Sequence, residues 1–272
     1  MPDSSPPPGL MNAADGGGFS FIVPTELVDL PSRGAYYPEG HPLHQEESIE
    51  IKQMTAKEED LLTSRSLLKK GVALDRVLQS LIVDKSIDPE GLLTGDRNAI
   101  LIASRVSAYG NIYNTKVACP ACGESQQYDF DLNEANIYHG DDTDGLSFTN
   151  NNNGTFTTQL PRTEIEIVFR ILTGRDEKRF TSALSAKNNK HQDHFVTDHM
   201  RTIIVQVNDH TSTEAINYVV ENIPSIDARH LRRAYRRATP NVDLTQIFEC
   251  GACDHEEDLE VPLNADFFWP DR

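Results

Sequence analysis

The chain has 272 residues, 38 % of them apolar, and its 42 acidic and 25 basic side chains leave a net charge of −17. That length holds one large domain or two modest ones. The charge argues against non-specific nucleic-acid binding, which needs clustered Lys and Arg, and the lack of a long apolar run argues against a membrane-spanning helix.

Residues 1–20 are rich in Pro, Gly, Ser and Asp and read as a disordered tail. The start "MPDSSPPPGL" lacks the basic and apolar regions of a signal peptide, so the expectation is a protein kept in a reducing cytoplasm. Residues 21–54 read as an extended arm, because prolines recur every few positions and forbid helix. Its apolar side chains (Phe21, Ile22, Leu27, Leu30, Tyr36 and Tyr37) are too many for a solvated linker. Such an arm either docks on a partner, with Tyr36 and Tyr37 as contact residues, or folds back over its own chain.

Residues 55–110 predict a three-helix unit. In "TAKEEDLLTSRSLLKKG", Thr55 and Glu58 form a capping box, and Lys69, Lys70 and Gly71 form a stop. "ALDRVLQSLIVDK" places Leu74, Val77, Leu78 and Leu81 on one face, and "DRNAILIASRVSAYG" runs from a cap at Asp96 to Gly110.

After Gly110 the apolar period becomes two. Tyr113, Thr115 and Val117 lead to Cys119, and Tyr128, Phe130 and Leu132 follow Cys122; "NVDLTQIFE" leads to Cys250, and Leu259, Val261 and Leu263 follow Cys253. Segments 111–132 and 241–263 are therefore two β-hairpins, each with a Cys-x-x-Cys tip. Together they hold every cysteine of the chain. Two such tips facing each other supply four thiolates to one structural Zn²⁺, a zinc ribbon with no open coordination position for catalysis. Pro120 stiffens the first turn, Gly123 takes the strained backbone after it, and Gly251 serves the second turn. A thioredoxin-like redox pair is the weaker reading, since no βαβ pattern precedes either motif. Another metal, or none, also stays open.

Residues 133–240 form an insertion between the two halves of the ribbon. It opens with a polar loop and then a hairpin with Ile165, Ile167, Phe169 and Ile171 on one face. Thr173 and Asp176 open a helix as a capping box, and further helices are expected over about 193–206, 212–221 and 225–238. The cluster His191, Asp193, His194, Asp198 and His199 reads as a solvated helix face rather than a second metal site, and His255 as a surface histidine. In "SIDARHLRRAYRRATP", Ser225 is a good N-cap, and Arg229, Arg232, Arg233, Arg236 and Arg237 stack along one side. Internal ion pairing, docking on an acidic protein and nucleic-acid contact are the three readings of that stripe. Residues 264–272 are a C-terminal tail. No catalytic motif is present, so neither an enzyme nor a small-molecule substrate is expected. The whole is an α+β chain.

The stretches "LPSRGAYYPEGHPL", "MTAKEEDLLTSRSLLKKGVALDRVLQSLIVD", "LLTGDRNAILIASRVSAYG", "TKVACPACG" and the terminal "FFWP" resemble the T4-like baseplate hub proteins of contractile-tailed bacteriophages. The resemblance is closest from Leu30 to Cys122 and looser through the second cysteine pair. It implies a non-catalytic structural or assembly protein whose partners are other baseplate and hub proteins. It places the chain in the host cytoplasm during assembly and then in the virion tail. The alternative is a zinc-ribbon nucleic-acid-binding or transcription factor, which fits the ribbon and the arginine helix but conflicts with the charge.

Overall fold

Strand β1 (Thr25–Asp29) pairs antiparallel with β2 (Ser48–Lys52), and residues 30–47 between them run in successive turns. The computed structural model describes residues 22–140, 145–186, 195–261 and 265–268. The expected N-terminal tail, Phe21, His191, Asp193, His194 and Trp269 lie outside them.

Segment 21–54 is thus not an extended arm. Leu30, Tyr37, Leu43, Ile49 and Ile51 are buried in the chain's own core, and of the two placements left open by the sequence, folding back is the one seen. The cause is a buried carboxylate. Four helices follow: α1 (Ala56–Thr63), α2 (Arg65–Lys69), α3 (Ala73–Leu81) and α4 (Thr94–Tyr109). Asp96 does not cap α4, which begins two residues earlier; it points inward and is fully buried. It accepts the Ser32 N–H at 2.9 Å, the Ser32 hydroxyl at 2.6 Å and the Tyr37 hydroxyl at 2.8 Å. The Tyr37 oxygen in turn accepts the Leu93 N–H at 3.1 Å. Burial pushes the Asp96 carboxyl up, and these donors oppose that shift.

The capping box of Thr55 and Glu58 forms as the sequence predicts, but the single helix expected after it is two. Ser64 takes an extended backbone (φ −65°, ψ 107°), and α2 starts afresh at an angle the pattern did not signal. Helix α3 buries Val77, Leu78 and Leu81.

The chain continues through β3 (Ile112–Ala118), β4 (Ser125–Asp131) and β5 (Asn136–Tyr138). The insertion then adds β6 (Phe148–Asn150), β7 (Thr155–Gln159), β8 (Glu166–Arg170), α5 (Gly174–Ala186), α6 (Phe195–Ile203), β9 (Ile204–Val207), α7 (Thr213–Asn222) and α8 (Ser225–Ala238). It returns through β10 (Asn241–Asp243), β11 (Thr245–Glu249) and β12 (Glu256–Glu260). Strands β6 to β9 form one antiparallel sheet in sequence order, and the other described strands pair two by two. Ile167 and Phe169 are fully buried on the expected face. The helix expected over 193–206 stops at Ile203. Ile204–Val207 instead pairs with β8, where its β-branched side chains suit an extended backbone.

At α8, Pro224 rather than Ser225 holds the N-cap position, and the buried Asp227 accepts the N–H groups of Arg162 and Thr163 at 2.8 and 3.0 Å. Ring contacts such as Tyr36 with Phe156 (centroids 5.5 Å apart) join the insertion to the first hairpin. The main apolar core runs from Val28 to Phe268, and a second, small cluster holds Cys119, Phe248 and Cys250.

The ends of the insertion meet in the β5–β10 pair, with Ile137 opposite Val242. This neck lies on the first turn of α4. A Cβ on Gly95 would stand 2.0 Å from the Pro240 carbonyl oxygen, so only glycine permits the approach. Asn98 donates to the Asn241 side chain at 3.1 Å.

Inside the insertion, Asp176 accepts both guanidinium arms of Arg170 at 2.7 and 2.9 Å, together with the Thr173 N–H and hydroxyl. Burial alone would raise this carboxyl, yet Arg170 and Thr173 outweigh it and hold it at about 2. A carboxyl depressed on folding contributes stability above its unfolded pKa and loses it as pH falls through the folded one. Asp176→Asn should therefore cost about 2 kcal/mol at neutral pH. The gap to the wild-type protein should narrow as pH falls from about 4 towards 2, as denaturant unfolding at several pH values will read. Asp96→Ala should cost about 3 kcal/mol or more, since it leaves the donors of Ser32 and Tyr37 buried and unpaired. Equilibrium unfolding in urea checks this, with an unchanged midpoint as the contrary result.

Candidate metal centre

Both cysteine turns are built on the same hydrogen bonds. Cys119 N–H donates to the Glu124 carbonyl at 2.8 Å and Gly123 N–H to that of Cys119 at 2.9 Å; Cys250 N–H donates to His255 at 2.9 Å and Asp254 N–H to Cys250 at 2.9 Å. Hairpin β3–β4 closes with Ala118 opposite Ser125, and β11–β12 with Glu249 opposite Glu256. The residue after each second cysteine is left-handed, with φ 76° at Gly123 and 53° at Asp254. The second turn therefore takes its special backbone at Asp254. Gly251 was expected to serve there but has no positive φ. Asp is among the few residues that tolerate that region.

Side chains stitch the hairpins together. Gln126 donates to the Glu249 carbonyl at 3.1 Å and accepts the Gly251 N–H at 3.0 Å. Gln246 answers from the other side, accepting the Asp131 N–H at 3.1 Å and donating to its carbonyl at 2.7 Å. The Tyr128 hydroxyl donates to Ile247 at 3.0 Å, and its ring lies 5.0 Å from that of Phe248. Sequence reasoning missed both glutamines, because a Gln on a strand carries no mark of its cross-hairpin partner; both are half-buried here.

These contacts bring four sulfurs from both ends of the insertion within 4.8 Å of one another. The Sγ atoms of Cys119 and Cys253 are 3.8 Å apart, as are those of Cys122 and Cys250. A tetrahedral thiolate site with bonds of about 2.3 Å has edges of about 3.8 Å. A disulfide would need about 2.05 Å, so the four cysteines are free thiols close enough together that they could hold a metal ion. Cys119 and Cys250 are buried, whereas Cys122 and Cys253 are exposed. The Cys122 N–H holds the Cys119 thiol down to about 6 against burial. At Cys253 the His255 N–H acts downward, but the neighbouring sulfurs outweigh it and push that thiol up to about 12. Four sulfurs this close cannot all ionise unless a cation shares their charge. The ribbon's own apolar cluster is small, with only Cys119, Phe248 and Cys250 fully enclosed.

The other candidate residues are scattered. Tyr37 is 5 % exposed and bonded to Asp96, so it is a core residue and not a partner contact; Tyr36 is half-buried on Phe156. His199 packs edge-on against Tyr235 inside the insertion, and burial lowers its pKa. His255 lies at the surface beside Glu257. On α8, Arg229, Arg232, Arg233 and Arg236 are exposed and Arg237 is half-buried. Arg233 and Arg237 are engaged within the chain. Internal pairing does not account for the rest, since Arg229, Arg232 and Arg236 form no ion pair among the described residues, and Arg232 reaches only the Ala228 carbonyl. Among the described residues no other cluster of metal-ligating side chains occurs, and no helix is long and apolar enough to cross a membrane.

The matched turns make a backbone prediction. Gly123→Ala should cost about 1 kcal/mol or more, because alanine must enter the left-handed region. Gly251→Ala should cost less than about 0.5 kcal/mol. Denaturant unfolding of both variants reads the difference, and equal costs would show that the left-handed turn carries no strain.

The chain matches the family model described as T4 bacteriophage base plate protein over residues 25–269. No curated protein and no solved structure gives a significant match. With nearly the whole chain inside that match, from β1 past the second cysteine turn, the protein belongs to the T4 bacteriophage base plate protein family.

Proposed function

We propose that this baseplate protein is a structural or assembly component of the hub of a contractile-tailed phage, stapled by one structural Zn²⁺ on Cys119, Cys122, Cys250 and Cys253. The observation that carries the metal is the convergence of four free thiols at the spacing of a tetrahedron, Cys119 meeting Cys253 and Cys122 meeting Cys250 across 134 and 128 residues of chain. When bound, zinc would neutralise the thiolates and lock two hairpins that have little apolar core of their own. Four protein ligands leave no position for substrate, which supports a non-catalytic role. It works by protein–protein contact, joining neighbouring baseplate proteins in the host cytoplasm and remaining with the tail.

The exposed arginines of α8 support the same reading. On a chain of net charge −17, a stripe of Arg229, Arg232 and Arg236 without internal carboxylates suits an acidic face of a neighbouring tail protein, with Arg233 and Arg237 extending it. Nucleic acid is disfavoured because the surrounding charge repels phosphate.

Elemental analysis of the purified protein should find one zinc per chain, lost in Cys250→Ser. Chelation should raise hydrogen exchange in both hairpins together while the α4 core stays protected. Zinc-free protein with fully protected hairpins would refute the staple. Arg229→Glu, Arg232→Glu and Arg236→Glu combined should keep the zinc and the fold but fail to copurify with baseplate intermediates. Duplex DNA binding at physiological salt that these changes abolish would favour the nucleic-acid reading instead.

A further inference from the structure

A cleft of about 490 Å³ lies where the end of β2, the first turn of α1, α3 and the loop after it meet. Four cations line it: Lys52, Lys57, Arg76 and Lys85. None of them forms an ion pair among the described residues, although acidic side chains far outnumber basic ones in the whole chain. Arg76 reaches only the Gln79 side chain, at 3.2 Å. Lys85 donates to the carbonyls of Gln79, Ser80 and Ile82. Partial burial, and then the charges of Lys52 and Lys57, lower the Lys85 pKa.

One carboxylate, Glu58, also lines the cleft, but its oxygens are committed. Oε1 accepts the Ser80 hydroxyl at 2.5 Å, and Oε2 accepts the Thr55 N–H and hydroxyl at 2.9 and 2.6 Å. It closes the capping box of α1; burial would raise its pKa, but the Ser80 and Thr55 donors lower it, so it stays ionised and offsets one of the four positive charges. The cleft thus keeps a net positive charge inside an acidic protein, and its volume falls within the range of ligand sites. A concave, unpaired cluster of like charges focuses the field on anions.

We propose that this cleft is an anion-binding site that takes clustered oxyanions, and that the carboxylates of a short acidic segment on a neighbouring tail protein occupy it. Lysine ammonium groups are mobile point charges without the fork that selects a planar pair of oxygens. A row of flexible carboxylates satisfies them, and the apolar Leu61 and Val23 in the lining give the segment's stems a dry contact. The nature of the carrier rests on the protein–protein reading above; the anion site itself does not.

Isothermal titration of the full chain with a hexaglutamate peptide and, separately, with tripolyphosphate tests the site without any other phage protein. Binding is expected at about 50 mM salt and should weaken at about 150 mM, as a charge-driven contact must. Lys52→Ala, Lys57→Ala and Arg76→Ala combined should weaken it by roughly tenfold or more. These side chains are exposed and carry no buried contact, and circular dichroism will confirm the fold. The α8 variant Arg229→Ala, Arg232→Ala, Arg236→Ala should bind as the wild type does. Peptide binding lost only in the cleft variant supports the proposal. Binding of tripolyphosphate alone would keep the anion site and overturn its acidic-segment occupant. No binding of either probe, or binding equal in the cleft variant, would overturn the site, and neither result bears on zinc content or baseplate membership.

Discussion

Two cysteine turns separated by more than a hundred residues can share one site only if the chain between them returns to its starting point. The β5–β10 pair enforces that return, and it is the constraint on which the ribbon depends. Closing a long loop costs little more than closing a short one, and here a folded insertion has already met most of that cost. Its own sheet and helices hold their ends near one another. The neck is then seated on α4 through Gly95 and Asn98, so the register of the cysteine site is referred to a helix with eight buried residues.

Buried polar groups set this geometry more than apolar area does. Asp96 binds the first hairpin to α4, and Asp227 binds the start of α8 to the turn after β7. Arg105, fully buried, gives its donors to the carbonyls of Phe267, Gly110 and Ile112, drawing the C-terminal aromatic residues against the end of α4. Apolar packing tolerates exchange among similar side chains, whereas each of these groups accepts only one arrangement of partners. They fix where the elements lie. At the cysteine turns, by contrast, the apolar cluster is small, centred on Cys119, Phe248 and Cys250, whereas the base of the first hairpin sends Tyr113 and Phe130 into the main core.

Charge is distributed to match. Most of the acidic excess is spread over the surface, and β12 carries Glu256, Glu257, Asp258 and Glu260 on an exposed strand. Such charges blunt an unpaired edge against aggregation. The cleft beside α3 and the Arg229, Arg232 and Arg236 side chains of α8 break the pattern with cations that form no ion pair among the described residues. Local reversals of this kind add specificity to any contact made there, because like charges reject the wrong approach.

Much of this was legible in the sequence. The cysteine pairs, the alternation around them, the capping box at Thr55 and Glu58, and the apolar faces of α3 and β8 all follow from residue type and short-range spacing, which one chain displays in full. What misled were residues whose meaning is set by a distant partner. Asp96 reads as a cap and is a buried acceptor for Ser32 and Tyr37, 64 and 59 residues away. The Pro-rich stretch reads as an arm because proline forbids helix, yet it cannot say that turns will fold back onto α4. Residues 204–207 continue a helical pattern until a neighbouring strand offers them hydrogen bonds. The four cationic residues of the cleft lie on three elements and a loop, and no periodicity unites them. Local preference determined the elements and marked the four cysteines that come together; the tertiary structure alone decided which buried donors meet which acceptors, since those pairings exist only after the chain has closed on itself.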